Sequence, residues 1–336
     1  MVVESWRDGF GRVRGAPAVA AGVFLVTLVT TAPLALVLRG AIEAHLGRSL
    51  ATEAAADGVN YDWWQEFASQ ASGLGTTFSP AVLGFAATLD NISSVLDAQG
   101  EIVPIVAAVA VYLLAWTFLS GGILDRYARR RPTRAYGFFG AAGALFWRLL
   151  RLAVIAGLVY GFLFAYVHTW LLDDAYTRLT RDVSVERTAF FWRAAFYGVF
   201  GALLIAVNTV FDFAKIRLVV EDRQSAVGAL RASLGFIARN TGRVAGLYAL
   251  NALAFLALLA LWAQAAPGAG GAGWSIWAGF ATAQLYLLAR LLLKLQFMAS
   301  QTTLFQVLLA HAGYTAAPPP VWPESPGAEA IQPNRR

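Results

Sequence analysis

Two carboxylates at helical spacing are the first residues in the chain whose types and positions could do chemistry. Asp62 and Glu66 stand four residues apart in the stretch NYDWWQEF, beside Trp63 and Trp64. A helix would place both acids on one face. Paired carboxylates beside aromatic rings are typical of sugar-cleaving enzymes, in which two acids flank the bond from opposite sides, about 5 to 9.5 Å apart. One helix can meet that distance but not easily that geometry.

The same stretch is also typical of a helix that lies at a membrane surface, and we favour this interpretation over catalysis. Trp63 and Phe67 share a face next to the carboxylates, and we expect that face to rest on lipid headgroups. Gly58 and Asn60 break the preceding helix, and Asp62 can cap the new one. Catalysis by the outer acidic pair stays as the alternative.

A second set of candidate residues lies inside long apolar segments, where polar side chains are costly. A rise of about 1.5 Å per residue places five of them between mid-membrane and the inner edge. They are Asn208, Asp212, Asn251, Gln284 and Arg290. Ionisable groups inside a membrane mark functional sites by default, because a charge without a partner is expensive to bury. The alternative is that they join helices by hydrogen bonds of about 0.6 kcal/mol each.

The depth of Asp212 predicts a partner on another span. Asp212 lies about 28 Å along its helix from Arg193, and Arg290 lies about 24 Å from Trp274, so both reach the inner leaflet. Because neither charge tolerates burial alone, we expect them to form an ion pair. The alternative partners of Asp212 are Lys294, Arg148 and Arg151.

Other reaction chemistries have weak support in the chain. His45, His168 and His311 are scattered without paired spacing, so no metal site is predicted. No glycine-rich phosphate loop and no Gly-x-Ser-x-Gly elbow occurs. The chain has no cysteine, which excludes disulfides, thiolate ligands and cysteine nucleophiles. We therefore predict no cofactor and assign no catalytic residue.

The elements that must position these residues are membrane helices. Of the 336 residues, 58% are hydrophobic and 14% are charged, whereas soluble domains have about 25% charged residues. Several apolar runs exceed the roughly 18 residues that mark a transmembrane helix. The chain is therefore predicted to be an all-α polytopic membrane protein in contact with the lipid bilayer. Its net charge of +6 does not indicate nucleic acid, because the arginines cluster beside the apolar runs.

Six spans are predicted, in a bundle with an outer helical loop domain and inner interfacial helices. Residues 1–16 form an interfacial helix, and 17–38 form the first span, which is retained because it lacks a clear cleavage site. Residues 39–101 form the outer loop, 102–314 hold five further spans, and 315–336 form a proline-rich tail predicted to be disordered. The spans cover about 18–38, 102–124, 152–172 (or from 135), 194–211, 244–263 and 274–295.

The distribution of charge predicts the orientation of the bundle. The segment DRYARRRPTR between the second and third spans has five arginines and one aspartate, whereas the segment after the first span is acidic. The positive-inside rule then places both termini in the cytoplasm. Trp262, Trp274 and Trp277 flank an outer turn, as an aromatic belt would. Asp62 and Glu66 should therefore lie opposite Arg129–Arg131.

Two helices are predicted on the inner membrane surface. In residues 1–16, Trp6, Phe10 and Val13 recur at helical spacing among charges. In residues 225–238, Ser225 can cap a helix with a one-sided apolar stripe. The stripe consists of Val227, Leu230, Leu234 and Ile237. It suits a helix lying on the membrane or docking a protein partner.

The region of residues 225–238 also invites comparison with the coupling helix of ABC importer permeases. In those proteins a small-residue run containing GAS precedes a leucine-proline end. Here RAS stands at that place and no leucine-proline pair follows. The interfacial helix is therefore the favoured interpretation, and a permease-like subunit is an alternative.

Four stretches carry a resemblance to known proteins: RVRGAPAVAAGV, NYDWWQEF, TFSPAVLGFAATLDN and VVEDRQSAVGALRAS. On these, the chain resembles a group of uncharacterised bacterial polytopic membrane proteins. More distantly, the region around the fourth span is similar to the membrane domain attached to some glycerophosphodiester phosphodiesterases. That second resemblance implies a membrane module only, because the chain has no catalytic domain of the phosphodiesterase type.

Three functions are weighed on these grounds. The leading one is a non-enzymatic scaffold or accessory component for transport or lipid handling. A transporter of a small solute or lipid predicts that the inner polar residues face a shared cavity. An intramembrane enzyme predicts that the outer carboxylates converge on a pocket. A scaffold predicts neither, and the sequence does not determine the oligomeric state.

Overall fold

Helices are the only regular secondary structure in the part of the chain that the structure describes, and no strand occurs there. The computed structural model describes residues 1–56, 60–79, 84–100, 102–130, 132–268 and 273–311. In chain order, the α-helices are α1 (Val2–Arg14), α2 (Pro17–Leu46), α3 (Thr52–Ala56), α4 (Tyr61–Gln70), α5 (Ala86–Leu96), α6 (Val103–Arg129), α7 (Ala135–Phe162), α8 (Tyr176–Thr180), α9 (Glu186–Val220), α10 (Ala226–Arg239), α11 (Thr241–Ala265) and α12 (Trp274–His311). The predicted tail 315–336, Gly58 and Arg131 lie outside the described residues.

Six of these helical segments are long and apolar enough to cross a membrane, as predicted. They are α2, α6, α7 with its continuation through α8, α9, α11 and α12. The third is one helix over Ala135–Thr180, because two π-helical stretches, Leu163–His168 and Trp170–Ala175, join α7 to α8. The extension back to Ala135, an alternative from the sequence, is therefore correct.

The tightest packing lies at one end of the bundle, which we call the base: the described residues of 1–23, 119–152, 211–247 and 291–308. Its core holds large side chains such as Tyr127, Phe213 and Phe305, all buried. The opposite end carries the cap, which is the described part of residues 47–100. Towards the cap, side chains such as Val109 of α6 and Leu256 of α11 are exposed, as lipid-facing residues would be. The spans therefore pack closely against one another at the base and less closely towards the cap.

The base and the cap lie at opposite ends of α2. Arg126 donates a 2.7 Å hydrogen bond to the carbonyl oxygen of Gly15, just before α2 begins. The α4 helix packs instead against His45, near the end of α2. Because a helix of 30 residues is about 45 Å long, Asp62 and Glu66 stand far from Arg129.

Helix α4 packs through its aromatic face, but neither its cap nor the surface that this face contacts is the predicted one. Asn60 caps it by accepting a hydrogen bond of 2.9 Å from the backbone nitrogen of Trp63, so the predicted cap at Asp62 is wrong. Trp63 is 6% exposed and Phe67 is 3% exposed, because both rings pack against His45. The expectation that this face rests on lipid headgroups is therefore also wrong: it attaches the cap to α2.

Helix α1 forms as predicted, but its buried face is different. Of the predicted apolar stripe, only Val13 is buried, and the other buried residues are Ser5, Gly9 and Arg12. Arg12 donates a 2.7 Å hydrogen bond through Nη1 to the carbonyl oxygen of Tyr127. Small residues allow close approach between helices, and α1 uses them to dock into the base along α12.

Helix α10 begins at the predicted cap. The Ser225 hydroxyl accepts a 3.1 Å hydrogen bond from the backbone nitrogen of Gly228. Its 14 residues are fewer than the roughly 20 that a membrane span needs, so α10 is not a seventh span. Val227 and Leu234 of the predicted stripe are exposed, whereas the opposite face, which includes Phe236, is buried in the base.

Candidate functional site

A cavity of about 1080 Å³ lies inside the bundle between the base and the cap. Residues of α2, α6, α7, α9, α11 and α12 line it, and Val95 of α5 contributes from the cap. Most of its wall is apolar, with side chains such as Phe164 and Leu287. Ile205 of α9 lines the cavity and is 59% exposed, so the cavity is partly open to its surroundings. Its volume is at the upper end for ligand sites, about 300–1,000 Å³.

Three of the five polar residues predicted from the sequence line this cavity: Asn208, Asn251 and Arg290. Asp212 stands directly behind them, because Asn208 Nδ2 donates a 3.0 Å hydrogen bond to its Oδ2. Gln284 is not among the lining residues, and its side-chain oxygen is buried without a hydrogen-bond partner in the described part of the chain. The structure therefore brings four of the five together.

Asp212 is the centre of a hydrogen-bond network that joins three spans. Its carboxylate accepts a hydrogen bond of 3.0 Å from the hydroxyl of Tyr248 on α11 and one of 3.1 Å from Nε2 of Gln301 on α12. Gln301 Nε2 also lies 2.8 Å from the hydroxyl of Tyr248. Interhelical hydrogen bonds of this kind hold membrane helices together, so part of the cluster has a structural role.

The ion pair of Asp212 differs from the one predicted. Its partner is Lys215, three residues later on the same helix, with Nζ 2.8 Å from Oδ1. The predicted pair with Arg290 is wrong, and Arg148, another candidate, pairs with Asp222. Residues at i and i+3 are neighbours on a helix surface, so Lys215 reaches the carboxylate without any contact between spans.

Arg290 and Lys294 face the cavity without a carboxylate partner. Lys294 Nζ lies 3.5 Å from the ring centroid of Trp116, and Arg290 Cζ lies 5.7 Å from that of Tyr286. Neither side chain forms an ion pair or a hydrogen bond with another described residue, and no aspartate or glutamate is among the described residues that line the cavity. Among the described residues, the groups that stabilise these two cations are therefore aromatic rings.

Two features of the sequence indicate the cationic part of the cavity wall, which Arg290 and Lys294 form. Lys294 follows Arg290 by four residues, which places both on one face of α12, whereas depth alone predicts Lys294 only as an alternative partner of Asp212. Tyr112 and Trp116 of α6 show the same four-residue spacing, and both rings lie within 6 Å of Lys294 Nζ. An aromatic pair at helical spacing is ordinary in a membrane span, so it attracted no functional interpretation.

The outer carboxylates do not converge on one pocket. Glu66 lines a separate cavity of about 450 Å³ with His45 and Arg48, and accepts a 2.8 Å hydrogen bond from the Ser49 hydroxyl. Asp62 is exposed and is not among the residues lining that cavity. Within the described residues, no group of three or more His, Asp or Glu side chains is placed to hold a metal ion. The paired acid geometry of a sugar-cleaving enzyme is thus missing from the described structure.

The cap is attached to the spans beside the cavity. The Tyr197 hydroxyl of α9 donates a hydrogen bond to Asp97, and His168 Nε2 donates one of 2.7 Å to the Leu96 carbonyl oxygen. The bond from Tyr197 is the main reason that the pKa of Asp97 lies below its ordinary value. His168 ends one of the π-helical stretches, a feature frequent at functional sites. These contacts hold α5 beside the cavity, which Val95 lines.

No family model, curated protein or solved structure matches the chain. The resemblances drawn from short stretches of the sequence, including that to the membrane domain of phosphodiesterases, therefore stay predictions. The case for a function depends on the geometry of the bundle cavity.

Proposed function

We propose that the protein handles lipids: it binds a lipid-like amphiphile in the bundle cavity and assists its movement within or across the membrane. The observation that carries this proposal is the cavity itself, which is large, mostly apolar and partly open. Acyl chains bury favourably against apolar walls, by about 0.8 kcal/mol per CH₂ group. Polar side chains of the lining, such as Asn208, Asn251 and Tyr160, cover less of the wall than apolar ones do, which favours an amphiphile over a small water-soluble solute.

The cavity also bears on the choice between the functions weighed from the sequence. A scaffold needs no internal cavity, whereas a transporter needs polar residues that face a shared one. Asn208, Asn251 and Arg290 share this cavity, which favours lipid handling or transport over a pure scaffold. The outer acidic pair supports an enzyme less well, because only Glu66 lines a pocket.

We place the protein in a bacterial inner membrane with the base in the cytoplasm. Arg129, Arg130 and Arg134 are exposed at the base, and the positive-inside rule supports a cytoplasmic position for them. Exposed Val227 and Leu234 of α10 support contact between the base and the inner membrane surface. Labelling tests this: an impermeant thiol reagent added to intact cells should modify Asp62→Cys and leave Arg134→Cys unmodified, and equal labelling would refute the orientation.

The function is tested by filling the cavity. Ala252 of α11 lines it, so Ala252→Phe should reduce the amount of lipid that co-purifies with the protein, measured by native mass spectrometry. Ala257 is exposed on the same helix and is not among the lining residues, so Ala257→Phe is the matched control and should leave bound lipid unchanged. Equal lipid retention by both variants would contradict the proposal, as would a wild-type protein that retains no lipid.

A further inference from the structure

The cavity has a charge that its own residues do not neutralise. Arg290 and Lys294 lie four residues apart on α12, which brings their Cβ atoms to about 6 Å, and both side chains line the cavity. Each of the two residues is exposed within the described structure. Trp116 and Tyr286 contact these cations through their rings alone and contribute no negative charge.

The acid that stands behind the cavity forms no ion pair with Arg290 or Lys294. The Asp212 carboxylate is already paired with Lys215 at 2.8 Å. It also accepts hydrogen bonds from Asn208, Tyr248 and Gln301. With these four partners its charge is balanced and its acceptor positions are largely occupied. The cavity thus keeps a net charge of about +2 next to apolar walls.

Unpaired cations at membrane depth are costly and mark functional sites. An arginine guanidinium holds a carboxylate or phosphate through paired hydrogen bonds, and a lysine ammonium adds a point charge. The apolar wall, with Phe164, Leu204 and Leu287, offers a surface for a hydrocarbon chain. A ligand that satisfies both parts of the cavity has an anionic headgroup and an apolar chain.

We propose, on the basis of the lipid-handling function above, that the ligand is an anionic amphiphile. Its carboxylate or phosphate group binds between Arg290 and Lys294, and its chain lies against the apolar wall towards Ile205, where the cavity is open. A zwitterionic lipid fits less well, because its own cationic group would enter a site that already holds two cations. A free inorganic anion meets the two cations but leaves the apolar wall empty.

The experiment compares three probes on the purified full-length protein in neutral detergent. They are phosphatidylglycerol, phosphatidylcholine with the same acyl chains, and inorganic phosphate. Native mass spectrometry measures lipid binding and thermal unfolding measures the stabilisation by each probe. We expect phosphatidylglycerol to bind about tenfold more tightly than phosphatidylcholine, a difference of about 1.4 kcal/mol, because both lipids carry the phosphate and only phosphatidylcholine brings a cationic group into the site. Inorganic phosphate should stabilise little.

Substitutions test whether the preference for phosphatidylglycerol depends on Arg290 and Lys294. Arg290→Gln and Lys294→Gln should each reduce the preference for phosphatidylglycerol, and the double variant should abolish it. Arg290→Lys keeps the charge and should retain most of the preference, which separates recognition from a folding defect. Arg39→Gln is the control, because Arg39 is an exposed cation on α2, paired with Glu43 and outside the cavity.

The outcomes separate this inference from the proposed function. If both lipids bind equally to the wild type, or the double variant keeps the preference, the anionic site is refuted. If inorganic phosphate stabilises as much as phosphatidylglycerol, the ligand is a free anion and the inference fails. Lipid binding without charge preference that Ala252→Phe still reduces would leave the proposed function intact. Absence of any bound lipid would refute both.

Discussion

Gly9 of α1 lies so close to Gln296 of α12 that a Cβ atom at Gly9 would stand 2.9 Å from both terminal atoms of the glutamine side chain. It would also stand 3.0 Å from the Cβ of Ser300. Gln296 cannot move freely, because it is buried and its Nε2 donates a 2.6 Å hydrogen bond to the Trp6 carbonyl oxygen. The first helix is therefore docked on the last span through a glycine contact.

Gly9→Ala should destabilise the protein by about 1–3 kcal/mol, the usual cost of overpacking a tight contact. The measurement is the midpoint of thermal unfolding in detergent. Gly11 on the same helix is the matched control, because no atom lies within 4 Å of a Cβ placed there. Gly11→Ala should leave stability unchanged or raise it by up to about 1 kcal/mol through helix propensity. Equal effects of the two substitutions would contradict the docked position of α1.

Asp212→Asn should lower the thermal midpoint, because it leaves the Lys215 ammonium without a counter-charge inside the bundle. A cost of about 1–3 kcal/mol is expected for a half-buried charged hydrogen bond. Adding Lys215→Met should recover part of the loss, since it removes the unpaired charge. Glu43→Gln breaks the exposed pair with Arg39 and should cost at most about 0.5 kcal/mol. Failure of the double variant to recover stability would show that the pair with Lys215 is not the relevant contact.

Acid should weaken the docking of α1 through Asp8. Partial burial acts to raise the pKa of Asp8, but hydrogen bonds from Thr303 and Arg12 and the charges of Arg12 and Arg130 outweigh it, so the pKa is lowered. Because the folded pKa lies below the unfolded value of about 3.9, the stabilisation is fully present above that value. It is lost as the pH falls through the folded pKa.

The pH prediction is measured by comparing the wild type with Asp8→Asn. The wild type should have the higher thermal midpoint at pH 6, and the difference should shrink as the pH falls below about 4. Glu53→Gln, which removes an exposed carboxylate in the cap, is the control for general acid effects. A difference between wild type and Asp8→Asn that does not change with pH would contradict the role of the charged carboxylate.

Tyr197→Phe should loosen the cap over the cavity, because it removes the hydroxyl that donates to Asp97. The chain has no cysteine, so Thr88→Cys supplies a single thiol at a buried position of α5, the helix that ends beside Asp97. Its labelling should become about fivefold faster in the Tyr197→Phe background, equivalent to one hydrogen bond of about 1 kcal/mol. Tyr136→Phe, at an exposed position on α7, should leave the rate unchanged. Equal rates in all backgrounds would show that this contact does not hold the cap.

The sequence alone was sufficient for the elements and for their order along the chain. Long apolar runs predict the six spans because each needs about 20 residues to cross the hydrocarbon. The Ser225 cap and the separate α10 helix are also local features, since the capping hydroxyl binds a nitrogen three residues away. The helical rise predicts that Asn208, Asp212 and Arg290 lie at similar depths in the membrane. The sequence therefore indicates these three residues as one group.

Only the tertiary structure decided which way each span faces. The lipid-facing and the helix-facing surfaces of membrane helices are both apolar, so hydropathy does not distinguish one face from the other. For that reason Asp212 and Arg290 were placed at the same depth but wrongly paired. The rotation of α12 turns Arg290 and Lys294 into a cavity that no carboxylate lines among the described residues. The rotation of α9 lets Asp212 accept hydrogen bonds from Tyr248 and Gln301 while Lys215 neutralises its charge. Rotation depends on the packing of all six helices together, which no single segment encodes.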